Sequence, residues 1–335
     1  MNEATRRILT LCAIRIDGKS LDWSLIARAA RDGHLDELWD GHVPARETTQ
    51  ARAAAMLAGV GVDLGVVRFH VLPTDRGWVR DSGPIVVADA AGNREVLDWH
   101  FNAWAKYPDW THDDRLPAFA AGVMGVPARR PTHRGWRVVL EGGSIDVNGR
   151  GLLLTTEECL LSTTQHRNPP FDRGDYEAVF AEQLGVKKVI WLNRGVAGDD
   201  THGHVDDLAR FVNPTTVVTV VERNEADDNY APLRENLDRL RAATDVEGRR
   251  LEVVELPMPA PRVYDGMRIP ASYANFYIAN GVVIVPTFND PADRVALGVL
   301  ADVFPGREVV GISCVDLVWG LGTLHCMTQQ EPAGG

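Results

Sequence analysis

The chain has 335 residues, of which 45% are hydrophobic and 24% are charged. This is the composition of an average soluble globular protein, and it excludes a disordered, collagen-like or coiled-coil chain. The formal net charge of −11 argues against a nucleic-acid binder that works by phosphate neutralisation, because such proteins present a basic face. Length alone suggests about two domains.

No apolar run reaches the ~18 residues that a membrane-spanning helix needs. The first residues lead only into a short apolar run, from Ile8 to Ile14, without a small-residue cleavage site. This pattern predicts no signal peptide and a cytoplasmic protein. The cysteines are scattered and form no C-x-x-C pair, which fits a reduced compartment. They are Cys12, Cys159, Cys314 and Cys326.

Four segments share one design, in which a polar residue is followed by an apolar strand, a tight turn and a second apolar strand. Asn148-Gly149 and Asn280-Gly281 are strong hairpin-turn signals between two such strands. The hairpin strands are predicted over 85–88 and 95–97, 145–147 and 152–154, 208–212 and 217–221, and 276–278 and 282–285.

Between the hairpins, apolar residues at helical spacing predict helices over 115–124, 176–184, 232–242 and 293–304. The polar residues before the hairpins lie at positions 81, 141, 206 and 275, with spacings of 60, 65 and 69 residues. Such regularity predicts a repeated ββαβ unit, and hence a single α/β domain of about five pseudo-repeats over 1–335. The residues before Asp81 should form the least regular unit, with a helix over 47–57.

The polar residues at the hairpin mouths should converge, since each occupies the same place in its repeat. They are Asp81, Glu141, His204 with Asp206, Asn275, and Cys326 near the end of the chain. Cysteine is a strong nucleophile, and a histidine can deprotonate it or serve as a general acid. Carboxylates beside a thiol suit a planar cation with many N–H donors, such as a guanidinium. Two glycines after Glu141 predict a close approach of the backbone there.

Six motifs, in order from about residue 75 to 332, resemble the signatures of the agmatine deiminase and bacterial peptidyl-arginine deiminase family. They are Trp78 to Pro84, Phe101 to Trp104, Glu141 to Gly143, Thr201 to Asp206, Tyr273 to Tyr277, and His325 to Pro332. The resemblance implies the pentein fold, an α/β-propeller of five ββαβ units around a pseudo-fivefold axis.

The same resemblance implies the catalytic roles. Cys326 would attack the guanidinium carbon to form a covalent amidino-thioether. His204 would protonate the departing ammonia and then activate water, and Glu141 would orient His204. Asp81 and Asp206 would hold the guanidinium nitrogens.

Substrate binding would also involve Trp78, packed against the substrate, and Asn275, near the thiol. The substrate implied is a small cationic guanidine. Agmatine would give N-carbamoylputrescine and ammonia, whereas peptidyl-arginine or free L-arginine would give citrulline. The resemblance implies no cofactor and no metal, and it allows a homo-oligomer.

Two other classes of protein fit parts of the pattern. His202 and His204 lie on one face of a strand and, with a nearby aspartate, would suit a metal-dependent amidohydrolase. No further histidine cluster completes such a site, so His202 is interpreted as a loop residue or a hydrogen-bonding neighbour. A pentein that only binds a partner is the other alternative, and the complete Cys, His, Glu and Asp set argues against it.

Several residues are interpreted as structural. Cys12, Cys159 and Cys314 are expected to be small buried side chains. The aromatic run Trp99, Phe101, Trp104, Tyr107 and Trp110 is expected to pack a loop, with a substrate-covering wall as the alternative.

Two features depart from the family pattern. Residues 1–50 contain no counterpart of the usual Met-Pro-Ala-Glu-Trp-like segment, and Leu321 and Thr323 replace Gly and Asn in the cysteine motif. Both changes are expected where the distal end of the substrate is recognised. The sequence thus predicts the reaction, deimination of a guanidine, more directly than it predicts agmatine as the substrate. A guanidine-bearing secondary metabolite is a further alternative substrate.

Overall fold

The computed structural model describes residues 14–16 and 46–332. In its N-terminal part, strand β1 (Ile14–Ile16) pairs antiparallel with β2 (Val67–Phe69), and helix α1 (Arg46–Gly59) lies between them along the chain. The helix predicted over 47–57 is confirmed, and this two-stranded sheet differs from the more regular units that follow. A four-residue helix, α2 (Val79–Ser82), leads into the first of these units. Cys12 lies outside the described residues.

Four consecutive stretches each form a three-stranded sheet, in which an antiparallel hairpin is followed by a helix and a third strand parallel to the second. The first contains β3 (Ile85–Ala88), β4 (Arg94–Leu97), α3 (Leu116–Met124) and β5 (Ala128–Arg129). A short antiparallel pair follows, β6 (Thr132–His133) and β7 (Trp136–Arg137).

The second sheet unit includes two helices. It contains β8 (Asp146–Val147), β9 (Leu152–Thr156), α4 (Glu157–Leu161), α5 (Arg173–Leu184) and β10 (Lys188–Leu192). Asp172 and Asp175 cap the start of α5 with reciprocal side-chain to backbone hydrogen bonds. The helix ends at Gly185, whose φ of 66° lies in the left-handed region that glycine adopts easily.

The third and fourth units repeat this order of elements. The third contains β11 (Ala209–Phe211), β12 (Thr216–Val221), α6 (Tyr230–Ala242) and β13 (Glu252–Pro257), followed by the antiparallel pair β14 (Arg262–Tyr264) and β15 (Met267–Ile269). The fourth contains β16 (Tyr277–Ala279), β17 (Val282–Thr287), α7 (Ala292–Val303) and β18 (Glu308–Ser313). The four hairpins and helices predicted from the sequence are therefore confirmed, with bounds that differ by a few residues.

The central strands of the second and third sheets explain why the apolar runs there are continuous. Every residue of β9 and β12 is buried. Each of these strands is paired on both edges, antiparallel on one side and parallel on the other. A strand that is covered on both faces requires a continuous run of apolar and β-branched side chains.

Two large apolar cores support these sheets. One surrounds the third and fourth units and includes the fully buried Tyr273, Phe276 and Phe288. The other surrounds the first two units and includes Tyr176 and Phe180. The described residues thus form an α/β fold, and none of their helices is long and apolar enough to cross a membrane.

Candidate active site

The predicted catalytic residues lie in or next to short helical segments and turns, either just before a hairpin or near the end of the described residues. Asp81 is in α2, immediately before β3. Glu141 and His204 directly precede single 3₁₀ turns at 142–144 and 205–207. Cys326 lies in a turn at 324–327. Because the turn recurs at the same place in each unit, residues far apart in sequence point to one site.

The structure brings the predicted residues together in a buried cluster. Asp81 and Cys326 are each 5% exposed, and His204, Glu141 and Asp206 are more deeply buried. His204 Nδ1 lies 3.7 Å from Asp81 Oδ1, and its Nε2 lies 3.8 Å from Glu141 Oε2. Cys326 Sγ is 3.5 Å from Asp206 Oδ2. The site therefore combines a thiol, an imidazole and three carboxylates.

His204 lies between two carboxylates that favour its charged form. Burial alone would lower its pKa, but Asp81, Cys159 and Glu141 outweigh burial and hold the pKa of His204 well above its ordinary value. The imidazole is therefore protonated at neutral pH. A buried imidazolium is suited to donate a proton to a leaving group.

Glu141 is held by an arginine that the sequence analysis missed. Arg167 Nε donates to Glu141 Oε1 at 3.1 Å, and both side chains are fully buried. Burial would raise the pKa of Glu141, but Arg167 and His204 together lower it to about 2. Arg167 also donates to the backbone carbonyls of Gln165 and Thr201, which fixes the guanidinium in place. The residues next to Arg167 in the sequence form no motif that would have predicted its contact with Glu141.

Asp81 is held by a tryptophan and by a backbone amide. Trp104 Nε1 donates to Asp81 Oδ2 at 2.9 Å, and Gly143 N donates to Oδ1 at 3.1 Å. Burial raises the pKa of this carboxyl group above its ordinary value. Trp104 also packs in a buried apolar cluster with Phe101, as expected of a residue that packs a loop, and its hydrogen bond to Asp81 is an additional role that was not predicted. Its membership of the motif from Phe101 was the available signal.

The backbone around Trp104 and Gly143 shows how tightly this part of the site is built. Ala103, Trp104 and Ala105 have φ values of 51°, 58° and 52°, three successive left-handed residues without a glycine. A Cβ on Gly143 would lie 2.6 Å from His204 Nδ1 and 2.7 Å from Asp81 Oδ1. Only glycine fits there, which confirms the predicted close approach of the backbone.

Asn275 organises the turn that carries the nucleophile candidate. Its Oδ1 accepts hydrogen bonds from Thr323 Oγ1 at 2.7 Å, His325 N at 3.0 Å and Cys326 N at 3.3 Å. Its Nδ2 lies 3.1 Å from Cys326 Sγ. Thr323, which departs from the family pattern, thus supports Asn275 and the turn that carries Cys326.

Cys326 is surrounded by negative charge. Burial raises its pKa well above the ordinary value, and Asp206, Asp207 and Asp81 raise it further, whereas the Asn275 hydrogen bond acts in the opposite direction. The resting side chain is a thiol. Since a nearby cation would favour the thiolate, a positively charged substrate would help to generate the nucleophile.

Asp206 has two oxygens in different environments. Its Oδ2 lies 2.7 Å from His325 Nδ1 and accepts from Asn275 Nδ2 at 3.3 Å. Its Oδ1 is buried and has no hydrogen-bond partner among the described residues. Burial raises the pKa of Asp206 to about 6, although His204 acts to lower it.

Trp78 packs beside the nucleophile candidate. It belongs to an apolar cluster with Cys326 and Met327, and it is buried. A Cβ on Gly322 would lie 2.9 Å from the Trp78 ring and 3.2 Å from Cys326 Cβ. The neighbouring Leu321 adopts a φ of 69°, so the other departure from the family pattern occupies a strained position of this loop.

Among the described residues, His202 does not join His204 in the metal site considered above. His202 Nε2 lies 3.1 Å from Ser162 Oγ, as expected of a hydrogen-bonding loop residue. Two groups of three metal-ligating side chains occur among the described residues, and neither includes His202. Cys314 and Cys159 are buried as predicted, but Cys159 lies beside the site, its Sγ within 4.8 Å of ligand atoms of Glu141 and His204.

A buried thiol, a charged imidazole and paired carboxylates form a site typical of a thiol-dependent enzyme that acts on a cation. Comparison with known families identifies the family within this class of enzymes. Residues 37–332 match the family model described as Porphyromonas-type peptidyl-arginine deiminase. The chain belongs to this family.

Individual relatives agree with the family assignment. An agmatine deiminase of Pseudomonas fluorescens is 38% identical over 295 residues, which cover 81% of this chain and 78% of the relative. The structure of the Enterococcus faecalis agmatine deiminase matches with a TM-score of 0.75 at 36% identity, covering 79% of this chain and 77% of that one. The C. jejuni agmatine deiminase matches with a TM-score of 0.72 at 29% identity, covering 83% and 78%.

Proposed function

We propose that this protein is an agmatine deiminase, which hydrolyses the guanidinium group of agmatine to give N-carbamoylputrescine and ammonia. The observation that carries the proposal is the buried cluster of Cys326, His204 and the three carboxylates Asp81, Glu141 and Asp206. The proposal is supported by the relatives that are agmatine deiminases.

The guanidinium is held by Asp81 and Asp206, in contact with Trp78. Asp206 Oδ1 is buried without a partner among the described residues, so it is free to accept N–H groups from the substrate. Carboxylates bind a planar guanidinium through charge-assisted hydrogen bonds. The Trp78 ring lies beside Cys326 and offers an apolar face to the flat cation.

The first half of the reaction forms a covalent intermediate. Binding of the cation offsets the negative charge around Cys326 and lowers the pKa of a thiol that burial and carboxylates otherwise raise. The thiolate, having lost its proton to solvent, attacks the guanidinium carbon and forms a C–S bond. His204, protonated between Asp81 and Glu141, gives its proton to a terminal nitrogen, the C–N bond breaks, and ammonia leaves.

The second half restores the enzyme. Neutral His204 accepts a proton from water, which attacks the carbon of the amidino-thioether. The C–S bond breaks while the hydroxyl group on that carbon loses its proton to solvent, the ureido product leaves, and the sulfur is returned as a thiolate. Glu141, anchored by Arg167, keeps the imidazole oriented and favours its charged form at each stage. No step needs a cofactor.

Deimination of peptidyl-arginine or of free L-arginine is the alternative substrate assignment. The family description supports the peptidyl substrate, whereas the relatives named above favour agmatine. A metal-dependent amidohydrolase is less well supported, because His202 contacts Ser162 and not the carboxylates around His204. A module that only binds a partner has no need for this set of catalytic groups.

We also propose that the whole chain, 1–335, is one domain with five pseudo-repeats around a fivefold axis. Four sheet units of one topology support this arrangement, as do site residues placed at corresponding turns. A cytoplasmic location and a homo-oligomer stay predictions from the sequence.

One assay panel tests the proposed function. The protein is incubated with agmatine, L-arginine and an arginine peptide, and ureido product and ammonia are measured. We expect the largest kcat/KM with agmatine and loss of activity in Cys326→Ala. Activity that survives in Cys326→Ala would exclude the covalent mechanism, and preference for arginine or the peptide would replace agmatine by that substrate. Activity that is lost after chelator treatment and returns with added metal would favour the amidohydrolase.

A further inference from the structure

The residue before the nucleophile candidate makes the shortest side-chain contact of Asp206. His325 Nδ1 lies 2.7 Å from Asp206 Oδ2, and the His325 side chain is nearly fully buried. Its backbone is also fixed, since His325 N donates to both the carbonyl and the side-chain oxygen of Asn275. The ring is therefore held in one orientation against the carboxylate.

Because of this contact, the two oxygens of Asp206 have different roles. Oδ2 is shared by His325, Asn275 and the Cys326 thiol. Oδ1 is buried and has no hydrogen-bond partner among the described residues. A carboxylate fixed through one oxygen leaves the other in a defined place for a substrate N–H.

The surroundings of His325 determine whether its imidazole or the Asp206 carboxyl group carries the proton between His325 Nδ1 and Asp206 Oδ2. Burial and the positive charges of Arg210, Arg80 and His204 hold the pKa of His325 well below its ordinary value. Arg80 Nε also donates to the His325 carbonyl oxygen at 3.3 Å, which keeps that positive charge close. The imidazole is therefore neutral. A neutral ring facing an ionised carboxylate carries its single proton on the facing nitrogen, Nδ1.

We propose that neutral His325 is a positioning residue for the deimination, because it donates its Nδ1 proton to Asp206 Oδ2 and thereby keeps Asp206 ionised with Oδ1 turned to the guanidinium. This inference rests on the proposed function, in which Asp206 holds the substrate cation. His325 itself need not touch the substrate or the reacting atoms. Its effect on the reaction is exerted through Asp206.

A matched pair of variants separates the hydrogen bond from the volume of the side chain. His325→Asn keeps a donor, since Asn Nδ2 takes the place of His Nδ1 on the same number of bonds from the backbone. His325→Leu has a similar size and no donor. We expect His325→Leu to lower kcat/KM for agmatine by about 10- to 100-fold, the effect of losing a hydrogen bond to a charged group, with KM raised more than kcat is lowered. His325→Asn should recover most of this loss.

The pH profile gives a readout that a purely structural role would not move. A lost donor disfavours the ionised form of Asp206, so the acidic limb of kcat/KM should shift to higher pH in His325→Leu and return in His325→Asn. The charged and titratable groups that act on Asp206, and that must be unchanged in both variants, are Arg80, Asp81, His204, Asp207, Arg210 and Cys326.

The control is a histidine–aspartate contact outside the site. His133 Nε2 lies 3.0 Å from Asp175 Oδ1, in a pair that is also mostly buried. His133→Leu should lower the melting temperature without changing the pH profile. In the background of Asp206→Asn, His325→Leu should cost less than threefold further, because residues that act through one group are not additive. A full additional loss in that background would overturn the proposal.

A measurement on the wild-type protein keeps this inference separate from the proposed function. The ¹⁵N shifts of the His325 ring, assigned by their loss in His325→Asn, should show a neutral ring protonated at Nδ1 at pH 7. A charged ring, or a proton on Nε2 alone, would overturn the proposal even in an active enzyme. If the wild type turns over no guanidine, the proposed function fails, and the spectrum still decides whether His325 donates to Asp206.

Discussion

Two buried carboxylates on opposite sides of the site differ in what they contact. Glu141 is paired with the guanidinium of Arg167, and its pKa is lowered to about 2. Asp206 has no such partner on Oδ1, and burial raises its pKa to about 6. The protein itself supplies a guanidinium to Glu141, whereas under the proposed mechanism Asp206 obtains its cation from the substrate. This difference supports the proposed roles, in which two carboxylates of similar burial serve catalysis and substrate binding respectively.

Removal of the charge on the substrate side should have the largest effect. Asp206→Asn is expected to lower kcat/KM by roughly 10³-fold, because a preorganised charge contact to the reacting cation is lost. The free energy of unfolding at pH 7 should not fall, since the folded protein no longer holds a carboxylate whose pKa burial has raised. Steady-state kinetics and urea unfolding measure the two quantities. Loss of stability comparable to the loss of activity would mean that Asp206 is mainly structural.

Removal of the Arg167 charge, which is paired with Glu141, should instead lower the free energy of unfolding. Arg167→Met leaves the fully buried Glu141 without its partner, and breaking one side of such a pair costs about 3–5 kcal/mol. We expect this loss in the free energy of unfolding, measured by urea denaturation at pH 7.

The double variant Arg167→Met with Glu141→Gln separates the two roles of this pair. It removes both charges, so most of the stability should return while activity stays low, because His204 has lost its carboxylate neighbour. Recovery of activity together with stability would contradict the assignment of Glu141 to catalysis.

The two carboxylates should give stability opposite dependences on pH. The pKa of Glu141 is lowered from 4.5 to about 2, so its contribution is fully present above pH 4.5 and is lost as pH falls toward 2. The pKa of Asp206 is raised from 3.8 to about 6, so its contribution decreases as pH rises from 3.8 to 6. Urea unfolding from pH 4 to 7 should show a smaller decrease in Asp206→Asn than in the wild type, because other buried carboxyl groups with a raised pKa, such as Asp113, contribute equally in both proteins. An identical slope in both proteins would contradict the raised pKa of Asp206.

The smallest effect should come from Trp104, which donates a hydrogen bond to Asp81, the second carboxylate proposed to bind the substrate. Trp104→Phe keeps the ring packing and removes only the Nε1 hydrogen bond to Asp81. We expect kcat/KM to fall about tenfold, the cost of one hydrogen bond to a charged group, mainly through KM. Trp99→Phe is the control, because Trp99 is buried in a different apolar cluster. Equal losses in both variants would show that Trp104 acts only by packing.

Much of the fold follows from short-range signals in the sequence. The turn at Asn148-Gly149 and the alternation of apolar runs with helical segments depend on neighbouring residues, so the hairpins and helices could be located. Asp81, Glu141, His204, Asp206 and Cys326 were predicted to converge from their places in the repeat and from the family resemblance, and the structure brings them into one cluster. The N-terminal unit was correctly expected to be irregular, since it lacks these repeated signals.

The supporting residues could not be found in the same way. Arg167, Trp104 and His325 act through contacts with residues 26, 23 and 119 positions away in the sequence. Nothing in their own neighbourhood identifies those partners. Cys159 likewise has the local pattern of a buried helix residue, and only the folded chain places it beside His204.

The high pKa of Cys326 also bears on how long the enzyme survives under oxidising conditions. Peroxide and most alkylating agents react with thiolates and only slowly with thiols. Under the proposed mechanism, the carboxylates around Cys326 therefore protect the sulfur when no cation is bound. Damage by oxidants should be concentrated in the moments when a cation occupies the site, so that a charged inhibitor without a leaving group would sensitise the enzyme to peroxide while a neutral one would not.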